Sequence, residues 1–129
     1  MLDSKRIERL GIKPGECYMA AVKVAEELHG GVKGIRIVHG EPIGTGGEAE
    51  GLRYGHAWVE VRDMVYDASN PRLGLVVVPV SVYYALGSIE DDVCHKYSLE
   101  AARKLMVEHG HYGPWHEPPL TKHVSSGRL

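Results

Sequence analysis

The chain contains no apolar run approaching the roughly 20 residues that a membrane-spanning helix needs, so a membrane protein is not expected. Its first residues, Met-Leu-Asp-Ser-Lys-Arg-Ile-Glu, hold no signal-peptide hydrophobic core, and the expected location is cytoplasmic. Cysteine is scarce. Cys17 and Cys94 are the two present, and without an export signal they are expected to be free thiols. Neither sign of charge dominates, with 15 Lys and Arg against 17 Asp and Glu. No basic stripe is interleaved with aromatics, so nucleic acid is not an implied partner. The Gly-rich passage from Glu41 to Gly55, with Gly44, Gly46, Gly47 and Gly51, lacks the Lys-Ser/Thr ending of a phosphate-binding loop. It reads as a mobile connection beside a site and not as a nucleotide cradle. No internal repeat is visible, and no cofactor is implied.

What is there is ordinary in amount and informative in arrangement. A hydrophobic fraction of 43% and a charged fraction of 25% suit a soluble globular protein, and 129 residues suit one domain with one sizeable core. The mixed stretch 1–13 predicts a short amphipathic helix. Pro14-Gly15 punctuates, and Cys17, Ala21, Val24 and Leu28 then recur at helical spacing, with Lys23, Glu26 and Glu27 on the other face and Gly30-Gly31 as the stop. The β-branched run within Gly34 to Gly40 predicts a strand. Leu73 to Val78 reads as a buried strand that Pro79 interrupts, and Val80 to Leu86 as a short helix with strand as the alternative. Ser98 is placed to cap a helix from Leu99 to His109, closed by Gly110. The tail, about 111–129, is too polar and too broken by proline to add an element.

The stretch around which the rest is organised runs from Gly55 to Asn70. Alternation on both sides of Arg62-Asp63 predicts an antiparallel hairpin with a two-residue or closely related loop, here taken as symmetric about Arg62-Asp63. In that register Val61 faces Met64, Trp58 faces Asp67 and His56 faces Ser69, which puts His56 and Asp67 on one face as diagonal neighbours. Ala57, Val59, Val61, Met64, Tyr66 and Ala68 take the other face and need a hydrophobic cover, which the helix from Leu99 to His109 is expected to give. The face carrying His56, Trp58, Val65, Asp67 and Ser69 is the expected site, with Trp58 and Ser69 as expected substrate contacts.

A histidine beside a carboxylate is half of a triad, and Cys17 is the candidate for the other half. Cysteine reacts as thiolate, and the open N–H groups at a helix start favour the anion. Taken singly, Cys17 would read as a small buried residue, His56 as a polar residue at a strand start and Asp67 as a turn former. Together they supply nucleophile, base and orienter on suitable scaffolding.

Gly15-Glu16-Cys17 opening an Ala-rich helix, the Gly34-Ile35-Arg36-Ile37-Val38-His39-Gly40 strand, His56-Ala57-Trp58-Val59-Glu60-Val61 and Val65-Tyr66-Asp67-Ala68-Ser69 together resemble the core of the transglutaminase-like superfamily of papain-like cysteine enzymes. The likeness covers roughly residues 15–70. It implies an α+β fold with a Cys-bearing helix packed on a small antiparallel sheet. It also implies catalytic roles for Cys17 as nucleophile, His56 as general base and acid, and Asp67 as the group that orients His56. The activity it implies is acyl transfer or amide hydrolysis through a thioester, on a peptide, a protein or an amide-containing small molecule, with no metal or cofactor. Two departures stand out: Ala68-Ser69 replaces the usual Pro-Thr after the aspartate, and the Cys17 backbone N–H is the one oxyanion donor that the sequence offers.

Three alternatives belong beside this reading. One is a non-catalytic interaction domain of the same fold. A second is an interaction domain anchored by Trp58, Tyr83, Tyr84, Tyr112 and Trp115, aromatics that a core would bury equally well. The third is a zinc site drawn from Cys94-His95, His109, His111 and His116, disfavoured by its irregular spacing and the lack of a Cys-x-x-Cys pair.

Overall fold

The computed structural model of the chain describes residues 4–45 and 50–116. Gly46, Gly47 and the tail beyond 116 lie outside the described residues. The fold is α+β, with five antiparallel strands and four α-helices. In chain order these are α1 (Ser4–Arg9), α2 (Cys17–Leu28), β1 (Ile35–Gly40), β2 (His56–Val61), β3 (Met64–Asp67), β4 (Val76–Pro79), α3 (Val80–Gly87), β5 (His95–Ser98) and α4 (Leu99–His109). The sheet order is β4-β3-β2-β1-β5.

β2 lies at the centre of the sheet and has apolar cover on both faces. Ala57, Val59 and Val61 join Ile35 and Ile37 of β1 under α2, whose stripe of Ala21, Val24, Ala25 and Leu28 is buried as its spacing predicts. The main cover on this face is therefore the Cys-bearing helix. α4, the expected cover for the hairpin face, adds Leu99 and Ala102 at one side. It is held to α2 by Arg103, which donates to Glu26 at 2.9 and 2.5 Å. The opposite face carries a second, smaller cluster of Val38, Trp58, Val65 and Ile89, covered by Val80, Tyr83 and Tyr84 around α3. Two-sided cover explains why β1 and β2 are buried at almost every position.

Several local expectations match the structure. The hairpin loop is Arg62-Asp63, with Val61 opposite Met64 and Val59 opposite Tyr66. Arg62 takes the left-handed φ of 56° that a tight hairpin loop demands of a residue at its tip. Ser98 caps α4 by accepting from the Ala101 N–H at 3.0 Å, and Gly110 closes it at φ 75°. Others are corrected. The apolar run from Leu73 yields a strand only from Val76. That strand lies at the sheet edge with half its residues exposed, so it is not buried, and Pro79 ends it without a break. β5 was not anticipated at all.

Glu60 and His39 are buried polar groups. Glu60 Oε2 accepts from Trp58 Nε1 at 3.0 Å and from the Tyr84 hydroxyl at 2.5 Å, while Lys96 and Arg36 stand 3.8 and 3.9 Å from its other oxygen. His39 packs among Tyr18, Tyr97 and Trp115, and its Nε2 has no hydrogen-bond partner among the described residues. Burial, with help from nearby His95 and His116, pushes its pKa down to about 3.

His39 thus folds neutral but is free to charge in the unfolded chain, so its contribution to stability is complete above about pH 6.5 and declines as pH falls toward 3. At pH 5 the loss is about 2 kcal/mol. His39→Phe, which keeps an aromatic ring and removes the titration, should show a smaller drop in melting temperature between pH 7.5 and 5 than the parent. An equal drop in both would show that His39 does not govern acid sensitivity.

Candidate functional site

The hairpin register brings His56 and Asp67 together. His56 opens β2 opposite Gly40, and Asp67 ends β3 opposite Val76. His56 Nε2 lies 3.2 Å from Asp67 Oδ2, and both side chains are largely buried. The carboxylate is saturated with donors. Oδ2 also accepts from the Tyr83 hydroxyl at 2.6 Å, and Oδ1 accepts from the Ser69 N–H at 2.8 Å. Tyr83 reaches it from α3, which positions the phenol because the short helix lies against the sheet face that carries Trp58.

Cys17 is the first residue of α2. The N-cap, Glu16, makes no side-chain hydrogen bond to the first turn; its carboxylate accepts instead from the Lys13 N–H at 3.2 Å. Cys17 stands close enough to the His56 ring to help raise the imidazole pKa. The start of α2 thus lies near His56, the first residue of β2. Neither cysteine is in a disulfide.

The electrostatics follow from this arrangement. Burial alone would lower the His56 pKa, but its hydrogen bond to the Asp67 carboxylate and the adjacent Cys17 overcome it and raise the pKa well above its ordinary value. Burial would likewise raise that of Asp67. The hydrogen bond and charge of His56, with Tyr83 and Ser69, outweigh it and hold the carboxyl below its usual range. The Tyr83 phenol is pushed up by burial and by the adjacent Asp67, so it remains a donor. For stability the signs are opposite: the His56 contribution is present below its unfolded pKa and lost as pH rises through the raised folded value, whereas that of Asp67 is lost on strong acidification. Their shared window includes neutral pH.

The two expected substrate contacts fare differently. Ser69 lines a cavity of about 560 Å³ together with His56, Asp67 and Tyr83. Trp58 is 0% exposed and does not line it; its ring lies beneath the site, 6.0 Å from His56 and 5.2 Å from Tyr83 between centroids. Gly40 makes room for this, because a Cβ there would fall 2.6 Å from the indole. The loop between β1 and β2 does run beside the site, with Pro42, Ile43, Thr45 and Tyr54 on the cavity wall. Its two ends are tied by pairing of Ile43 with Arg53, and Arg53 donates to the carbonyls of Glu41 and Ser88 at 2.7 and 2.9 Å.

No family model, curated protein or solved structure matches the chain. Its reading therefore rests on its own residues. Among the described residues no three His, Cys, Asp or Glu side chains converge as metal ligands would. His95 stacks on His116, which bonds the Tyr97 hydroxyl, and His109 and His111 stand 5.9 Å apart at the end of α4. Of the proposed aromatic anchors, Trp58 and Trp115 are buried, so a surface built on those indoles is not present. Among the described residues no helix is long and apolar enough to cross a membrane.

The residues missed in the sequence are Tyr83 as a donor to Asp67, and Glu60. Tyr83→Phe removes one charge-assisted hydrogen bond from a buried carboxylate and should cost about 1.5–3 kcal/mol in denaturant unfolding, with the fold retained. A loss below about 0.5 kcal/mol would mean that the phenol does not hold Asp67.

Proposed function

We propose that this protein is a cysteine-nucleophile enzyme that transfers acyl groups through a thioester on Cys17. A single observation carries the reading: His56 bonds to a carboxylate fixed by two other donors, and Cys17, at the start of a 12-residue helix, is close enough to help raise the imidazole pKa. The motifs that carry these residues, within 15–70, resemble those of the transglutaminase-like superfamily of papain-like enzymes and agree with it.

With Nε2 engaged by Asp67, Nδ1 is the ring nitrogen left to face Cys17. At rest the proton given up by sulfur sits on that ring, and Asp67 stabilises the resulting thiolate and imidazolium pair by orienting the ring and balancing its charge. The thiolate adds to the carbonyl carbon of an amide or peptide. Negative charge moves to the carbonyl oxygen, where the Cys17 N–H at the helix start is the donor at hand. Collapse breaks the C–N bond as His56 delivers its proton to the leaving amine, and a thioester remains. Water or an amine then attacks that thioester, His56 takes a proton from the attacker, and the Cys17 thiolate departs. Water as acceptor makes the enzyme a hydrolase, and an amine makes it a transferase. A nucleophilic thiol with no disulfide partner fits a reducing compartment such as the cytoplasm.

Alkylation tests this directly. A free thiol titrates near 8.5, yet Cys17 should react with iodoacetamide at pH 6. Cys94 is the internal control: burial, together with the charge of Asp91, pushes its thiol up to about 11, against a smaller lowering by Tyr84, so it should stay unlabelled there. His56→Ala should slow Cys17 labelling at pH 6 on the order of 10- to 100-fold, and Asp67→Asn should slow it less. A Cys17 that is inert in the folded protein, or one indifferent to His56, would return it to the status of a packed core residue.

A further inference from the structure

The cavity that opens onto His56 has a chemical character of its own. It is bounded by the loop between β1 and β2, by the segment after β3 and by the end of α3. Among the described residues that line it, His56 and Asp67 alone carry charge, and both are committed to each other. Asp67 has its two oxygens taken by His56, Tyr83 and the Ser69 N–H, so it has little left to offer a cationic ligand. The remaining polar groups are neutral. Asn70, one of them, already accepts from the Arg72 N–H at 3.0 Å. Deeper, the wall is aliphatic, with Ile43, Val76, Val78 and Ile89. At the mouth stand Leu73 and Leu86, which are 67% and 71% exposed, unusually open for leucine. An apolar path therefore runs from solvent to the imidazole, with room for a large side chain.

We propose that this cavity is the specificity subsite of the enzyme and that it receives an uncharged, apolar side chain carried next to the reacting carbonyl. The inference rests on Cys17 being the nucleophile: Cys17 does not itself line the cavity, and His56, its neighbour, does. A lysine, aspartate or glutamate in the same position would lose its hydration shell with no free charged partner among the described residues of the wall. Leu73 and Leu86 act as selecting residues at the entrance, where they exclude water from the bound chain.

The test uses N-substituted iodoacetamides, which carry one electrophile and differ only in the group they must place beside Cys17. Plain iodoacetamide, its N-hexyl, its N-(2-aminoethyl) and its N-carboxymethyl derivatives are reacted at pH 6, and each rate is divided by that reagent's rate with glutathione. The N-hexyl reagent should exceed the plain one by about tenfold or more, and both charged reagents should fall below it. In Leu73→Lys and Leu86→Lys, exposed positions where the fold is expected to survive, the hexyl advantage should shrink severalfold and the carboxymethyl reagent should gain. Equal normalised rates, or a preference for a charged group, with plain iodoacetamide still labelling Cys17, would overturn the subsite and leave the nucleophile standing. A hexyl preference untouched by both lysine substitutions would also overturn it, because the chain would then be held elsewhere. Failure of plain iodoacetamide to label Cys17 would remove the catalytic reading and this proposal together.

Discussion

A two-residue loop permits one pairing of the strands it joins. Because Arg62-Asp63 is such a loop, Val61 must face Met64, and period-two alternation then sends His56 and Asp67 to the same side of the sheet. A slip of one residue would place Asp67 among Ala57 and Val59 beneath α2, where an unpaired carboxylate is costly, and would expose the apolar face of β3. Burial of β2 on both faces therefore protects the register, and the register holds the candidate catalytic pair. The elements around it serve that pairing: α2 covers one face and brings Cys17 to the start of β2, and α3 covers the other and sends Tyr83 to Asp67.

The pair is a buried ion pair whose worth depends on completeness. Removing two charges from water costs several kcal/mol per ion, and mutual attraction repays it only where the remaining lone pairs find donors. Asp67 meets that condition through Tyr83 and the Ser69 N–H, and Cys17 lies close enough to His56 to favour its charge further. Glu60, two residues from Trp58 on the same strand face, shows the same economy. Its carboxylate is paired with an indole N–H, a phenol and two cations, and it anchors the ring on which the His56 end of the strand rests. The site thus sits on a polar scaffold inside an apolar one.

Much of this was legible in the chain because the relevant signals are local. Alternation about a two-residue loop announces the hairpin and, with it, the His56 and Asp67 neighbourhood. Helical spacing announces α2 and places Cys17 in its first turn, and Ser98 with Gly110 brackets α4. What escaped is what depends on distant neighbours. β5 is the four residues His95–Ser98, of which Tyr97 alone is buried, and nothing in so short a polar run says that β1 has an open edge to receive it. The run ending in Val78 has the composition of a buried strand but sits at the other edge, a fact of sheet order and not of composition. Trp58 looks like a site residue from its face alone; only α3, packed across that face, makes it a foundation. Tyr83 and Glu60 are chemically unremarkable until tertiary contact pairs them with Asp67 and with Trp58 and Tyr84.

The central claim is that Asp67 and Cys17 together hold His56 as an imidazolium, and it is tested most directly by following the ring of His56 in a pH titration by nuclear magnetic resonance. The account predicts that the ring stays protonated well above pH 6.5 in the parent and that its titration moves down when Cys17→Ser or Asp67→Asn removes either partner. A His56 ring that titrates near 6.5 in the parent, or whose titration is unmoved by both substitutions, would contradict it.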